Sequence, residues 1–257
     1  VIAVYATPQL LMGSDDVAER TRDLVGRRGM DACVRRVDVD AHDPDGPEAA
    51  ARTARRAALL DVAGDEPVLL GHTRDDQAEQ VLLSLARGSG ATSLAGIRPR
   101  SGQFWHPLLE VRRAQTVQAC REWEVEPWQD PHNGDPRFLR SRVRTELMPV
   151  MEEVLGPEVA ASLARSATLL AGEDEVVARV ARMWADEHGV NANELPGLRG
   201  VEVGLARRVV KEWLPQARMV HVDAVLGLLD GPGGAGVDVP GGRIEISQGT
   251  LYLARRL

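Results

Sequence analysis

Cysteine, lysine, aromatic residues and long apolar runs are all scarce in this 257-residue chain. Its two cysteines, Cys33 and Cys120, supply no disulfide framework, no Cys-x-x-Cys pair and no cysteine-based zinc or iron–sulfur site, and they fit a reducing, cytoplasmic setting. No apolar run approaches the roughly 18 residues of a membrane span. No basic segment followed by a long apolar stretch marks a secretory leader. Lys211 is the only lysine among 31 basic residues, so chemistry that needs a lysine amine must use Lys211 or take the amine from outside the chain. The net charge of −7 argues against a non-specific nucleic-acid coat. It leaves room for a local arginine cluster on an acidic body. What is present is a globular composition, 44% hydrophobic and 27% charged. At about 150 residues per domain the length suits one large domain or two modest ones.

The first half alternates strand and helix signals. Apolar or β-branched runs at Val1–Ala6, Ala32–Val39 and Pro67–Leu70 are separated by helical patterns at Ser14–Arg28 and Glu48–Ala63. A further helix, Asp75–Arg87, stops at Gly88-Ser89-Gly90. Strands alternating with helices predict βαβ units and a parallel sheet, hence an α/β fold. The second half predicts helices over Arg113–Trp123, Phe138–Val154 (interrupted at Pro149), Pro157–His188, Val201–Leu214 and Val220–Leu229. A Gly/Pro-rich break at Gly231–Gly242 and a small hairpin around Gln248-Gly249 follow. The expected division is an α/β domain over 1–150 and a smaller, mainly helical domain over 151–257, with the boundary near Pro149–Pro157.

Three stretches carry the residues that can do chemistry. Gly71–Glu79 (GHTRDDQAE) follows an apolar strand and opens a helix, the carboxyl-end position where parallel α/β sheets bind ligands. Asp75 and Glu79 share a helical face, with Asp76 turned about 100° away. Such carboxylates suit Mg²⁺ or an ammonium, or they simply complement the positive end of a helix. His72 favours neither reading by itself. Glu48, Arg52 and Arg55 form one helical stripe, which is either a nucleotide-facing surface or a solvated salt-bridge face. Asp130–Asn133 precedes Arg137, Arg140, Arg142 and Arg144, which form either a phosphate-binding surface or an ordinary basic helix.

Taken together these stretches resemble the tRNA(Ile)-lysidine synthetases, N-type PP-loop ATP pyrophosphatases. The family's Glu-Ala-x-Ala-Arg-x-x-Arg helix is matched by Glu48–Arg55, with Arg56 where the family usually has tyrosine. Its His-x-x-Asp-Asp-Gln-x-Glu signature is matched by His72, Asp75, Asp76, Gln77 and Glu79. Leu85–Gly96, Pro107–Leu109 and the stretch from Asp130 to Arg144 match its following motifs in order. The resemblance covers about residues 14–155 and implies a Rossmann-like parallel sheet of PP-loop type. It implies ATP with Mg²⁺, free L-lysine, and an isoleucine tRNA with a wobble cytosine, which is adenylated at C2 and then attacked by the lysine amine. It leaves a homodimer open. By the same resemblance Asp76 and Glu79 recognise lysine, and Arg52 and Arg144 face the nucleotide or adenylate. His72 and Asp75 line the pocket, Arg137, Arg140 and Arg142 meet RNA phosphates, and the helical part from about Pro157 helps select the tRNA. The alternative is a non-catalytic remnant that binds tRNA or a partner. A tRNA thiolase of the same superfamily would employ paired cysteines, which Cys33 and Cys120 do not form.

Two family segments have no counterpart. The phosphate-cradling Ser-Gly-Gly-x-Asp-Ser loop is not found, and Tyr5–Met12 does not contain the Asp-His-Gly-Leu-Arg motif expected just before Gly13-Ser14. Back-translated with GC-rich codons and shifted by two bases, the segment from Val1 spells Asp-Arg-Gly-Leu-Arg. The expectation is an N-terminal truncation through a change of frame near Met12–Ser14, with the loop encoded upstream, and a chain that does not adenylate by itself.

Overall fold

The computed structural model describes residues 2–7, 14–39, 47–128, 134–231 and 235–255. Met12 and Gly13, where the change of frame is expected, lie outside them, as does the whole of the Asp130–Asn133 motif. The chain divides into two units: residues 1–89 with 96–167, and residues 90–95 with 168–257. This boundary falls between Ala167 and Thr168, inside a long helix, and not near Pro149–Pro157. The helices on either side of Pro149 pack together in the first unit, so that proline does not mark a domain edge.

In the first unit, strand β1 (Ile2–Thr7) runs parallel to β2 (Asp31–Arg36) across helix α1 (Ser14–Gly26), in register Ile2↔Asp31 to Thr7↔Arg36. After helix α2 (Pro47–Ala63), the two-residue strand β3 (Val68–Leu69) enters and leads directly into helix α3 (Arg74–Ala86). Short strands β4 (Arg100–Ser101) and β5 (Phe104–Trp105) form a hairpin, with β5 parallel to β3 and antiparallel to β4. The single parallel sheet expected from the sequence is therefore, among the described residues, two short sheets, one with an antiparallel edge. The βαβ logic holds locally, because parallel strands need a crossover and α1 supplies it. Antiparallel β4 arises where only two residues, Gly102 and Gln103, separate it from β5.

Helix α5 (Arg113–Glu122) and the run α6 (Leu139–Arg142), π-helical turn (Val143–Leu147) and α7 (Met148–Leu155) complete the unit with the start of α8 (Val159–Glu187). The π turn has a local cause. Pro149 has no N–H to donate and its ring crowds the carbonyl four residues back, so the coil widens just before it. Pro149 then sits in the first turn of α7, where proline is tolerated. Ala78 and Leu83 of α3 pack with Val143, Met148 and Val159, flanked by Leu82, Met151 and Leu163. At about 1.5–3 kcal/mol per buried large aliphatic side chain, this core fixes the π turn under α3.

In the second unit the terminal hairpin belongs to a larger sheet. Helix α4 (Ala91–Leu94), the remainder of α8, α9 (Val203–Trp213) and α10 (Met219–Gly227) accompany a four-stranded antiparallel sheet. Its strands are β6 (Glu194–Leu195), β7 (Gly236–Val239), β8 (Gly242–Ser247) and β9 (Thr250–Arg255), in the order β6-β9-β8-β7. The expected hairpin is its β8–β9 centre. Gln248 and Gly249 both have positive φ (49° and 81°), the two-residue turn that matches strand twist. Ile244, Ile246 and Leu251 face Val209, Val210, Val222 and Val225 of the helices. Buried Asp174 accepts hydrogen bonds from Thr92 Oγ1 (2.7 Å) and Arg208 Nη1 (2.6 Å), which holds the α4 segment in this unit.

Candidate functional site

Helix α3 begins where β3 ends, and a capping box builds its first turn. Thr73 is the N-cap; Asp76 Oδ2 accepts from Thr73 N (2.8 Å) and Thr73 Oγ1 (2.7 Å). One oxygen of Asp76 thus serves the helix start, as the simpler reading of an acidic N-terminus holds. Its other oxygen faces a cluster. Three residues on from Asp76, Glu79 is buried, its side chain 2% exposed.

Three arginines converge on this pair. Arg144 donates from Nε to Glu79 Oε1 (2.7 Å) and from Nη2 to Glu79 Oε2 (3.0 Å) and Asp76 Oδ1 (3.1 Å). Arg140 donates from Nε to Glu79 Oε2 (3.0 Å), and from Nη2 to Asp76 Oδ1 at a looser 3.4 Å. Arg113 reaches Asp76 Oδ1 (3.0 Å) and Glu79 Oε1 (3.2 Å), while its backbone N–H donates to Asp75 Oδ2 (2.7 Å). Asp75 therefore anchors the start of α5. Arg140 and Arg144 arrive together because they are four apart on the run locked beneath α3.

The four-arginine stretch is therefore not one surface. Arg140 and Arg144 point inward, whereas Arg137 and Arg142 are exposed and pair with Asp135 and Glu146. Arg140, expected on RNA phosphate, belongs structurally to the carboxylate cluster. Arg113 was not singled out by sequence. The available signal was its place just after Pro107–Leu109, but its partners lie 34 to 38 residues earlier.

A second group adjoins the first. The His72 and His106 rings are 4.9 Å apart at centroid, and His106 Nδ1 lies 2.7 Å from the Arg98 carbonyl. His72 Nδ1 is buried without a hydrogen-bond partner among the described residues. Arg56, the departure from the family's usual tyrosine, stacks its guanidinium 3.7 Å above the Phe104 ring. Arg52 is exposed on the same helix, and its charge acts on His72, His106 and Arg56. Gln77 is buried behind the carboxylates and clamps residue 97 through both amide atoms: Oε1 accepts from Ile97 N (2.6 Å) and Nε2 donates to Ile97 O (3.1 Å).

These surroundings set the charges. Burial, followed by the positive charges of His106, Arg140 and Arg52 against the opposing pull of Asp76, depresses His72 to about 4. His106 is lowered too, first by burial. For Asp76, burial opposes ionisation, but the Thr73 hydrogen bonds and the charges of Arg113 and Arg140 prevail and hold the carboxyl below its usual range. Arg144 is raised, chiefly by its hydrogen bond to Glu79. Stability should follow pH accordingly. His72 prefers to be neutral in the folded protein, so its contribution is intact above its ordinary 6.5 and is lost as pH falls towards about 4. After discounting for solvent screening the loss is about 1–2 kcal/mol. The Asp76 contribution is lost only at lower pH, below the usual carboxylate range. Urea unfolding at pH 7 and pH 4.5 should show the first loss, and His72→Gln should remove most of it; an unchanged slope in that variant would contradict the assignment.

Among the described residues no three His, Cys, Asp or Glu side chains converge as metal ligands, and Asp76 and Glu79 are already occupied by guanidinium groups. These residues do not fit a protein-held Mg²⁺. Lys211 is committed elsewhere: its Nζ donates to the Pro215 (2.8 Å) and Ala217 (2.6 Å) carbonyls in the second unit. Among the described residues no helix is long and apolar enough to cross a membrane.

Residues 1–151 match the PP-loop domain family. The chain is 94% identical over 257 residues to the tRNA(Ile)-lysidine synthase of Cutibacterium acnes (strain DSM 16379 / KPA171202), covering 100% of this chain and 83% of that protein. It is 45% identical over 208 residues to that of Thermobifida fusca (strain YX), covering 77% of this chain and 63% of that protein. Among solved structures, the U34-tRNA thiolase NcsA from Methanococcus maripaludis matches with TM-score 0.54 and 16% identity, over 66% of this chain and 62% of that one. That likeness is one of fold, and supports the α/β assignment. The chain belongs to the tRNA(Ile)-lysidine synthase family of PP-loop enzymes.

Proposed function

We propose that this site uses ATP to adenylate the wobble cytosine of an isoleucine tRNA, releasing pyrophosphate, and then joins free L-lysine to C2 through its side-chain amine, releasing AMP. The observation that carries this reading is the Asp76–Glu79 pair at the end of β3, ringed by arginines in a chain of this family. Carboxylates suit the lysine cation, and guanidinium groups suit nucleotide phosphate and the charge that develops on it. Asp76 and Glu79 receive the lysine ammonium; Arg144 and Arg52 face the nucleotide; His72, held neutral, lines the pocket without adding charge. Asp75 acts by anchoring Arg113. Mg²⁺ would come with ATP as part of the substrate and offset its phosphate charge. The second unit contributes to tRNA selection, and the reaction belongs in the cytoplasm, where tRNA resides. The relatives this chain matches support this reading and not the non-catalytic alternative. The test is lysine-dependent AMP release by the full-length protein on an isoleucine tRNA transcript; no release, with tRNA binding intact, would overturn the reading.

The outward arginines give a separate expectation. Exposed Arg137 and Arg142 are available to phosphates at the expense of weak surface pairs. Arg137→Ala and Arg142→Ala should each weaken tRNA binding and flatten its salt dependence by roughly 0.7–0.9 in the log–log slope. Arg140→Ala should instead impair turnover. Filter binding across a salt series separates the two behaviours, and unchanged slopes would assign Arg137 and Arg142 to the helix surface alone.

A further inference from the structure

We propose that Arg113 occupies the lysine-ammonium position of the resting site, so that nucleotide phosphate must draw it away before lysine binds; this rests on the function proposed above. Every oxygen of the carboxylate pair is already taken. Asp76 Oδ2 accepts from Thr73, Asp76 Oδ1 from Arg113, Arg144 and, at 3.4 Å, Arg140, Glu79 Oε1 from Arg113 and Arg144, and Glu79 Oε2 from Arg140 and Arg144. An ionised carboxylate has about four lone-pair sites, and an ammonium needs bare acceptors. Lysine therefore enters only by replacing a guanidinium.

Arg113 is the one placed to yield. Arg140 and Arg144 sit on the run whose Val143 and Met148 are packed beneath α3, and Arg144 makes the shortest contact of the three, at 2.7 Å. Arg113 is the first residue of α5 and its Glu79 contacts are longer, at 3.2 Å. Its side chain is about one-third exposed (32%), as is that of Arg140 (33%), but Arg113 alone of the three has its backbone N–H bonded to Asp75, which holds the main chain when the guanidinium swings. A phosphate anion offers that guanidinium a bidentate partner, and the acceptor sites it leaves on Asp76 Oδ1 and Glu79 Oε1, beside the retained Arg144, then face a cation of the same charge. Lysine and Arg113 thus compete for the same two oxygens, and nucleotide relieves the competition.

Equilibrium dialysis of radiolabelled L-lysine against the full-length protein tests this, alone and with α,β-methylene ATP plus an isoleucine tRNA transcript. Wild type should bind lysine at least about fivefold more tightly with nucleotide present, the lower end of coupling between linked sites. Arg113→Gln should bind lysine without nucleotide as tightly as wild type does with it, and Arg113→Lys, which keeps a cation there, should retain the dependence. Equal lysine affinity in wild type with and without nucleotide, or undiminished nucleotide dependence in Arg113→Gln, overturns the competition. Lysidine formation combined with nucleotide-independent lysine affinity overturns the competition alone. Absence of lysine binding in every state, with no lysine-dependent AMP release, overturns the functional reading and the competition together.

Discussion

Gly96→Ala should destabilise the protein by about 3–5 kcal/mol, at the upper end of what single substitutions do. Gly96 has φ +64°, and a Cβ there would stand 2.4 Å from Gln77 Oε1. An L-residue in this left-handed region costs roughly 1–2 kcal/mol. The larger effect is on Gln77, which must move and abandon its two bonds to Ile97. Gln77 is only 5% exposed, so water does not replace those bonds, and each buried polar group left unpaired costs about 1–3 kcal/mol. A double-mutant cycle checks the mechanism. In a Gln77→Ala background the clash is gone, and Gly96→Ala should then cost only the backbone part, about 1–2 kcal/mol. Equal costs in both backgrounds, measured by urea unfolding, would show that the two residues are not coupled.

That pair also illustrates what was legible in the sequence. Gln77 and Gly96 both belong to the matched motifs, yet nothing in the spacing says that a side chain in one clamps the backbone after the other. Local features read well: the helix opening at Arg74, the carboxylates on it and the Gln248-Gly249 turn each follow from neighbours within a few residues. Features set by distant contacts did not. Arg140 and Arg142 look equivalent in sequence, but being two apart they lie about 200° round the helix from one another. Only the packing of Val143 and Met148 under α3 decides which of them turns inward. The C-terminal sheet was partly missed because β7 lies inside the Gly/Pro-rich stretch Gly231–Gly242 and β6 has two residues, too short for an alternating pattern to register.

Glu79→Gln should have the largest effect on activity. The substitution keeps size and shape but removes one of the two charges that hold Arg113, Arg140 and Arg144 together. Removing one partner of a fully buried ion pair costs about 3–5 kcal/mol. Here the arginine side chains are between 26% and 33% exposed, so water takes up part of the released charge, and about 2–4 kcal/mol is expected. On catalysis, a lost charge-assisted contact of about 1.5–3 kcal/mol corresponds to roughly 10- to 150-fold in kcat/KM for lysine, with the KM for ATP moving much less. Stability and recognition can be separated by adding Arg113→Gln. Three guanidinium groups over Asp76 alone then become two, and part of the stability should return. Lysine recognition should not, because the ammonium has still lost its buried acceptor. If lysine kinetics recovered along with stability, Glu79 would be a scaffold for the arginines and not a ligand of the substrate.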